Sequence, residues 1–338
     1  MSRPVASVVS LIIALGLLAT PLAPEAQQAG KVYGIGLLSP TSPSDAGGKP
    51  SDLAVLFAAF REGLRGLGYV EGQNITIESR WAEGNYDRLP GLAAELVRLK
   101  MDLIVTYGTP ASQAAKRATG TIPIVMAAII DPVASRLVAS LARPGGNVTG
   151  QSMMSPDLAE KQLEILKEAV PKISRVAVLH NPANPGNAPQ VRHAQDAART
   201  LGVRLQILGA RGPGEIDSAF VAMINEQAGG MIVLVDAVLQ NNRTRVTNLA
   251  ARHRLPAVYG LGEYAEVGGL LAYGPNRLDM FRHAATYVDQ VLKGAKPGDL
   301  PIEQPKKFAL IINLKTAKAL GLTIPQSLLV RADEIIHP

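Results

Sequence analysis

Six polar side chains that could hold a small ligand stand directly after apolar segments of the chain. Their hydroxyl, carboxamide and carboxylate groups form the hydrogen bonds, some charge-assisted, that fix a small polar molecule. In parallel α/β sheets, ligands bind outside the carboxyl ends of the strands, so we expect these positions to share one edge of a sheet. They are Ser39, Thr109, Asp131, Asn181, Asp236 and Glu263.

The segment around Thr109 shows this pattern most clearly. The apolar run from Leu103 to Thr106 is typical of a strand buried on both faces. Thr109 then suits an N-cap and Pro110 the first helical position. The free N–H groups that follow, at Ala111 and Ser112, favour a carboxylate or a phosphate. The alternative is that Thr109 only caps the helix.

Three of the other candidates have structural alternatives of their own. Asp131 precedes a proline, which is also typical of a cap on a helix running to about Ala142. Asn181 precedes a proline as well, and Asn-Pro is common turn chemistry. Asp236 ends an apolar strand, so its carboxylate can bind a ligand or cap the next helix.

Two further candidates complete the predicted site. Tyr259 ends a short strand, where an aromatic ring can form a ligand-contacting wall or pack against the strand end. Ser152 follows a Pro-Gly-Gly break by a few residues and either faces a cleft or makes a turn. Whether either residue contacts a ligand depends on how the two halves of the chain pack against each other.

The elements that position these residues alternate between strand and helix along nearly the whole chain. A length of 338 residues is about twice that of a typical domain and predicts two lobes. The run Arg143 to Asn147, which contains Pro-Gly-Gly, breaks the alternation, and the alternation then starts again. The pattern therefore predicts two α/β lobes with parallel sheets that enclose a cleft.

Composition excludes several classes of site and partner. The chain has no cysteine, which excludes disulfides, thiolate metal sites, cysteine nucleophiles and a lipidated cysteine anchor. The net charge of +6 is spread without a long basic run, and no nucleic-acid-binding motif is present. We therefore expect no nucleic-acid partner.

Motifs of catalysis are missing as well. The sequence has no Gly-x-Ser-x-Gly, P-loop or His-Glu-x-x-His motif, and its five histidines lack metal-ligand spacing. Gly34 to Ser39 only approximates a dinucleotide fingerprint, because the third glycine is absent. We therefore predict a binding protein that is not an enzyme and has no catalytic residue, metal or cofactor. A hydrolase or an epimerase is the third choice.

Residues 1–26 have the pattern of an export signal. Arg3 provides a positive start, Val8 to Leu18 an apolar core, and Thr20 to Ala26 a small, proline-broken region. Cleavage near Ala26 would release a soluble periplasmic protein, and an uncleaved anchor is the alternative.

From about Lys31 onward, four long runs together carry a family resemblance: GTPASQAAKRATGTIPIVM, DPVASRLVASLARPGGNVTG, RVAVLHNPANP and the run from Tyr273 to Ile336. They resemble the substrate-binding proteins of ABC importers with the type-1 periplasmic-binding fold, including tryptophan/tyrosine-type binding components. The resemblance implies a monomeric receptor that closes by hinge bending over a small ligand and delivers it to an ABC permease. A ligand sensor for a signalling partner is the alternative.

The resemblance also implies three hinge crossovers between the lobes, near 147–149, 273–275 and 301–304. Lobe one would then comprise residues 31–147 and 275–301, and lobe two residues 150–273 and 304–338.

In amino-acid-binding proteins of this fold, a lobe-one hydroxyl and backbone amides hold the ligand carboxylate, while a lobe-two acid holds its ammonium. The resemblance assigns the first role to Thr109 with the amides of Ala111 and Ser112, and the second to Asp236. Glu263 is a second acidic candidate. Because the apolar Val235 precedes Asp236 where amino-acid-binding relatives carry a polar residue, other small carboxylates and amides are alternative ligands.

Overall fold

Buried apolar segments form two separate sheets. The computed structural model describes residues 31–44, 50–153 and 158–338, so the predicted leader of residues 1–26 lies outside the described residues. All the elements given below belong to one compact unit, Tyr33–Pro338. The strands, in chain order, are β1 (Tyr33–Ser39), β2 (Ile75–Trp81), β3 (Leu103–Tyr107), β4 (Ile124–Ile129), β5 (Val148–Ser152), β6 (Arg175–His180), β7 (Arg204–Gly209), β8 (Gly230–Val233), β9 (Ala257–Tyr259), β10 (Leu271–Pro275), β11 (Phe308–Asn313) and β12 (Glu334–Ile336).

Helices cover both faces of each sheet, and most of them begin at a capping side chain, a proline or an acidic first turn. They are α1 (Asp52–Gly66), α2 (Leu89–Arg98), α3 (Thr109–Ala118), α4 (Leu158–Ala169), α5 (Asn187–Leu201), α6 (Pro213–Asn225), α7 (Ala237–Asn241), α8 (Arg243–Arg252), α9 (Glu263–Glu266), α10 (Arg277–Leu292), α11 (Leu314–Leu320) and α12 (Gln326–Arg331). Short 3₁₀ helices occur at Tyr86–Arg88 and Pro297–Asp299.

The first sheet has the strand order β2-β1-β3-β4-β5, and every neighbouring pair is parallel. The central strands β3 and β4 are buried at every position, as the continuous apolar runs predict. The carboxyl ends of β1, β3 and β4 therefore lie at one edge of this sheet, which is the edge at which ligands bind in such folds.

The second sheet has the order β12-β11-β10-β9-β8-β6-β7. Its pairs are parallel except for β10 and β11, which run antiparallel with Leu271 opposite Ile312. The predicted fold class, two α/β lobes that each have a sheet flanked by helices, is confirmed. Lobe two differs from the prediction in one respect, because the chain re-enters its sheet as an antiparallel strand.

The chain leaves lobe one later than the sequence predicts. Strand β5 pairs with β4, with Thr149 opposite Val125, so the first sheet continues to Ser152 instead of ending at residue 147. The second crossover lies between β10 and α10. The third follows Glu303, whose backbone N–H donates to Gly150 O (3.2 Å) and whose carbonyl accepts from Ser152 N–H (2.8 Å). Two crossovers are thus hydrogen-bonded to each other.

Residues 131–142 form turns and not the predicted helix. The Asp131 carboxylate accepts hydrogen bonds from the amides of Val133 (3.1 Å) and Ala134 (2.9 Å), as a cap would. The carbonyls that would continue a helix have other partners, because Lys116 Nζ of α3 donates to the carbonyls of Arg136 and Leu137 at 2.9 Å each. Contacts with a neighbouring helix therefore override the local pattern.

Among the described residues, no helix combines the length and the apolar character that crossing a bilayer requires. The same part of the chain contains no group of three or more histidine, aspartate or glutamate residues placed to hold a metal ion.

Helix α10 returns to lobe one after the second crossover and packs along α1. The approach is closest at Gly63, where an added Cβ would lie 2.5 Å from Arg282 O and 2.9 Å from Ala285 Cβ. Phe281 of α10 is fully buried and stacks edge-on against Phe57 of α1 at 5.4 Å. This contact attaches the late segment of the chain to the first lobe.

We expect Gly63→Ala to lower the free energy of unfolding by about 1–3 kcal/mol, because the new methyl group overlaps the α10 backbone. Gly66→Ala is the matched control in the same helix, since no atom lies within 4 Å of its added Cβ. Replacing Gly66 with alanine should stabilise the protein by roughly 0.5–1 kcal/mol. Urea unfolding of the three proteins measures both effects, and equal stability of the two variants would contradict the close packing.

Candidate functional site

A cavity of about 10 Å³ lies between the two lobes, at the carboxyl ends of the strands. This volume holds about one water molecule and is far below the usual range of ligand pockets, so a ligand can enter only when the lobes separate. Lobe one contributes Pro40, Tyr86, Tyr107, Gly108, Pro110 and Ile130. The opposite wall comes from the four lobe-two residues Asn184, Val235, Asp236 and Ala237. Met153, at the first crossover, completes the lining.

Asp236 provides the only carboxylate among the lining residues, and it is 2% exposed. Its Oδ1 accepts hydrogen bonds from the amides of Val238 (2.9 Å) and Leu239 (3.1 Å), so it caps helix α7. The two interpretations of the sequence are therefore compatible, since one carboxylate caps a helix and also lines the cavity. The helix amides hold the negative charge in place.

Two asparagines of the loop after β6 orient the same carboxylate. Asn181 Nδ2 donates to Asp236 Oδ1 (3.1 Å), and Asn184 Nδ2 donates to Asp236 Oδ2 (2.9 Å). Asn187 fixes the loop, because its Oδ1 accepts from Asn181 N–H (3.0 Å) and its Nδ2 donates to Val235 O (2.9 Å). Asn181 thus acts through Asp236, while Asn184 also lines the cavity.

One hydrogen bond to Asp236 crosses the cleft. Tyr86 of lobe one donates its hydroxyl to Asp236 Oδ2 at 2.9 Å. Burial raises the pKa of Tyr86 well above its ordinary value, and the nearby Asp236 carboxylate raises it further. The hydroxyl therefore stays protonated and donates at every pH at which the protein is handled.

The start of helix α3 faces lobe two, but Thr109 is not its cap. Gly108 takes the N-cap position with a φ of 79°, which glycine adopts without strain, and Thr109 is the first helical residue. Thr109 is fully buried, and its hydroxyl has no hydrogen-bond partner within the described part of the chain. An added Cβ on Gly186 of lobe two would lie 2.8 Å from that hydroxyl oxygen.

A second polar cluster joins the lobes beside the cavity. Asp52, at the start of α1, accepts hydrogen bonds from two lobe-two side chains: Arg243 Nη2 (2.6 Å) at Oδ1 and Gln240 Nε2 (2.7 Å) at Oδ2. The Asp52 side chain is 20% exposed and that of Arg243 is 21% exposed, so water screens this pair less than it screens a surface pair.

Arg277 connects this cluster to the cavity wall. Its Nη2 and Nε donate to Glu263 Oε1 at 2.5 and 3.0 Å, and its Nη1 donates to Tyr107 Oη at 2.9 Å. Burial alone would lower the pKa of Arg277, but Glu263, Tyr107 and Asp52 together raise it above its ordinary value. Glu263, predicted as a second acid for the ligand, is paired with this arginine.

Three predicted lobe-one residues make contacts inside their own lobe. Ser112 Oγ is hydrogen-bonded to Thr106 Oγ1 (2.7 Å) and to Gly108 O (3.2 Å), and its amide also donates to Gly108 O. Ala111 packs in the apolar cluster beneath α3. Ser39 Oγ accepts from Thr41 N–H (3.2 Å), so it stabilises the turn after β1. Pro110, which directly precedes Ala111, does line the cavity.

The other predicted residues have structural contacts as well. Ser152 Oγ donates to Ile130 O at 2.9 Å and so fixes the first crossover. Tyr259 is 1% exposed and stacks on Tyr264, with ring centroids 4.4 Å apart, inside lobe two. Asp131, in the turn described above, is absent from the cavity lining.

Among the cavity residues that sequence analysis missed, Tyr86 and Asn184 are the two whose side chains donate hydrogen bonds to Asp236. Asn184 lies in the run HNPANP, where only the first asparagine was chosen as a candidate. Tyr86 follows a Glu-Gly-Asn turn after β2, and a tyrosine in such a loop can be recognised only once its lobe-two partner is known.

Two α/β lobes joined by three crossovers, with a small cavity between them that a buried carboxylate lines, define a solute-binding protein that closes around its ligand. Residues 51–336 match the family model of ABC transporter substrate binding proteins. The chain belongs to that family, as the resemblance predicted.

One similar protein is named for the ligand that it binds. The chain is 30% identical over 264 residues to a tyrosine-binding protein of Clostridioides difficile, which covers 78% of this chain and 75% of that protein. A crystal structure of an ABC domain from Streptococcus pneumoniae in complex with L-Trp is 29% identical, with a TM-score of 0.82, over 90% of this chain and 100% of that one.

A third similar structure provides a contrast in conformation. It is the ligand-free, open structure of a substrate-binding protein with adhesive properties from Clostridium difficile, 25% identical, with a TM-score of 0.64, over 91% of this chain and 100% of that one. The higher TM-score with the L-Trp complex, at similar identity, agrees with the contacts across the cleft described above. The lobes of this chain are closed.

We expect Gly186→Ala to hinder closure without affecting the fold of lobe two. The Gly186 backbone (φ −69°, ψ −18°) suits any residue, whereas an added Cβ would lie 2.8 Å from Thr109 Oγ1 and 3.0 Å from Ile130 Cβ of lobe one. The overlap should favour the open state by about 1–3 kcal/mol. Small-angle X-ray scattering should show a larger radius of gyration than for the wild type.

Gly214→Ala in α6 is the control, because no atom lies within 4 Å of its added Cβ. Its scattering should match that of the wild type. If Gly186→Ala also scatters as the wild type does, then this contact does not limit closure.

Proposed function

We propose that this protein is the extracytoplasmic receptor of an ABC importer and binds a small zwitterion, an aromatic amino acid, between its lobes. The observation that carries the proposal is the cavity with a buried carboxylate on lobe two and a helix N-terminus on lobe one. The similarity to a tyrosine-binding protein and to an L-Trp complex supports the ligand class. A membrane permease is the expected partner, and residues 1–26 are the expected export signal.

One group on each lobe suits one charge of such a ligand, and Thr109 stands between the lining residues Gly108 and Pro110. Thr109 offers a buried hydroxyl that lacks a partner among the described residues, at the positive end of α3. A ligand carboxylate is stabilised there by the hydroxyl and by the helix dipole. Asp236 offers the negative charge for the ligand ammonium.

Aromatic and apolar side chains line the space between these two groups. Tyr107 and Pro110 of lobe one and Val235 of lobe two surround it, and such surfaces favour an apolar ligand body. Binding a ligand through both lobes stabilises the closed state, because the open state cannot make the contacts from both sides at once. Closure of this kind is what a receptor presents to its transporter.

Asp236→Asn should weaken binding of L-tryptophan and L-tyrosine by roughly 10- to 100-fold, which is ~1.5–3 kcal/mol for a lost charge-assisted hydrogen bond. Asparagine keeps the shape of the side chain and an oxygen that can still cap α7. Isothermal titration calorimetry measures the affinities, and thermal unfolding verifies that the variant is folded.

Asp196→Asn is the matched control, since this carboxylate lies on the surface of α5 with 63% of its side chain exposed. It should leave both affinities unchanged. Tight binding of either amino acid to Asp236→Asn would refute the assigned role of Asp236.

A further inference from the structure

Asp236 already accepts five hydrogen bonds in the closed protein. Four donors belong to its own lobe: the amides of Val238 and Leu239 and the side chains of Asn181 and Asn184. The fifth is the hydroxyl of Tyr86 from lobe one. A carboxylate has about four lone-pair positions, so no good acceptor position is left for another donor.

The five donors differ in how they depend on closure. The lobe-two donors stay in place whether the lobes are open or closed, because helix α7 and the loop after β6 hold them. The Tyr86 hydroxyl reaches Asp236 Oδ2 only when lobe one approaches. In the open state Oδ2 therefore keeps one acceptor position, directed to the cleft, beside the bond from Asn184.

Tyr86 is anchored so that only its hydroxyl enters the other lobe. Its ring packs against the apolar cluster of lobe one that contains Ala82 and Leu89. Its 3₁₀ turn is capped by Asn85 Oδ1, which accepts from Asp87 N–H at 3.1 Å. Removing the hydroxyl alone therefore leaves this packing intact.

We propose that the Tyr86 hydroxyl occupies the position on Asp236 that the ligand ammonium takes, and that this exchange determines affinity and selectivity. This inference rests on the proposed function, since it requires a ligand with an amino group. A zwitterion that binds between the lobes puts its ammonium where the Tyr86 hydroxyl lies in the closed protein, so part of its interaction with Asp236 is offset by the bond that it displaces.

A ligand without an amino group does not compete with the Tyr86 hydroxyl for Asp236. It leaves the Tyr86 hydrogen bond to Asp236 in place, so the buried carboxylate stays fully paired. The hydroxyl therefore narrows the difference in affinity between an amino acid and its deamino analogue. Tyr86 is on these grounds a specificity-determining residue.

The test is Tyr86→Phe, titrated with two ligand pairs: L-tryptophan with indole-3-propanoate, and L-tyrosine with 3-(4-hydroxyphenyl)propanoate. The affinity for the amino acids should rise about fivefold, which corresponds to ~1 kcal/mol, one net hydrogen bond. The affinity for the deamino analogues should stay the same or fall, because Asp236 then lacks its fifth donor. The selectivity for an amino group should therefore increase.

Tyr69→Phe is the matched control. Tyr69 also donates its hydroxyl to a carboxylate, Asp289, at 3.1 Å, but it follows the end of α1 that is remote from Asp52 and the cleft. It should leave all four affinities unchanged, so an effect of Tyr86→Phe is not a general effect of losing a tyrosine hydroxyl.

Three results would overturn the role of Tyr86. They are weaker binding of both members of a pair, unchanged binding of both, and an equal gain for both. Asp236→Asn separates this failure from failure of the proposed function. The proposed function fails if Asp236→Asn binds the amino acids as the wild type does, or if neither the wild type nor any variant binds them. If Asp236→Asn binds them weakly while Tyr86→Phe binds them as the wild type does, only the proposed exchange at Asp236 is wrong.

Discussion

Charge buried between the lobes is the constraint on which the closed structure depends. An unpaired carboxylate or guanidinium in this position would cost several kcal/mol, so each one must find partners when water is excluded. Asp236 finds four within its own lobe and one across the cleft, while Asp52 finds two of its partners, Arg243 and Gln240, only across it. Asp236 is thus prepared before closure, and Asp52 becomes fully paired through closure. The first arrangement suits recognition of a ligand, and the second suits holding two bodies together.

The crossovers restrict how the lobes move relative to each other. The first and third are linked by backbone hydrogen bonds between Gly150, Ser152 and Glu303, and Ser152 Oγ is bonded to Ile130 O. Arg277 comes directly after the second crossover and is bonded to Glu263 of lobe two and Tyr107 of lobe one. The hinge is therefore connected through one arginine to a wall of the cavity. Tyr107 also packs in the core, with its ring centroid 5.4 Å from that of Phe281.

The sequence was sufficient for the architecture and for part of the site. Apolar runs ending in polar residues predicted the strands, the two lobes and the cavity residues Pro110 and Asp236. Local pattern did not show which distant groups some of these residues contact. Ser112 bonds to Thr106, Glu263 pairs with Arg277, and the turns at 131–142 form because Lys116 takes carbonyls that a helix would use. Tyr86 was missed for the same reason, since its partner lies 150 positions along the chain. Pairings across a closing cleft are not encoded in the spacing of neighbouring residues.

The return of α10 to lobe one affects the order in which the protein can be built. Helix α10 covers α1 and one face of β4, so a nascent chain that has synthesised all five strands of the first sheet still lacks the Phe281 ring that packs on Phe57. Lobe one therefore completes its core after most of lobe two has been synthesised. Such late, long-range contacts slow folding. A chain that stays unfolded during synthesis is also a chain that a translocation machine can thread.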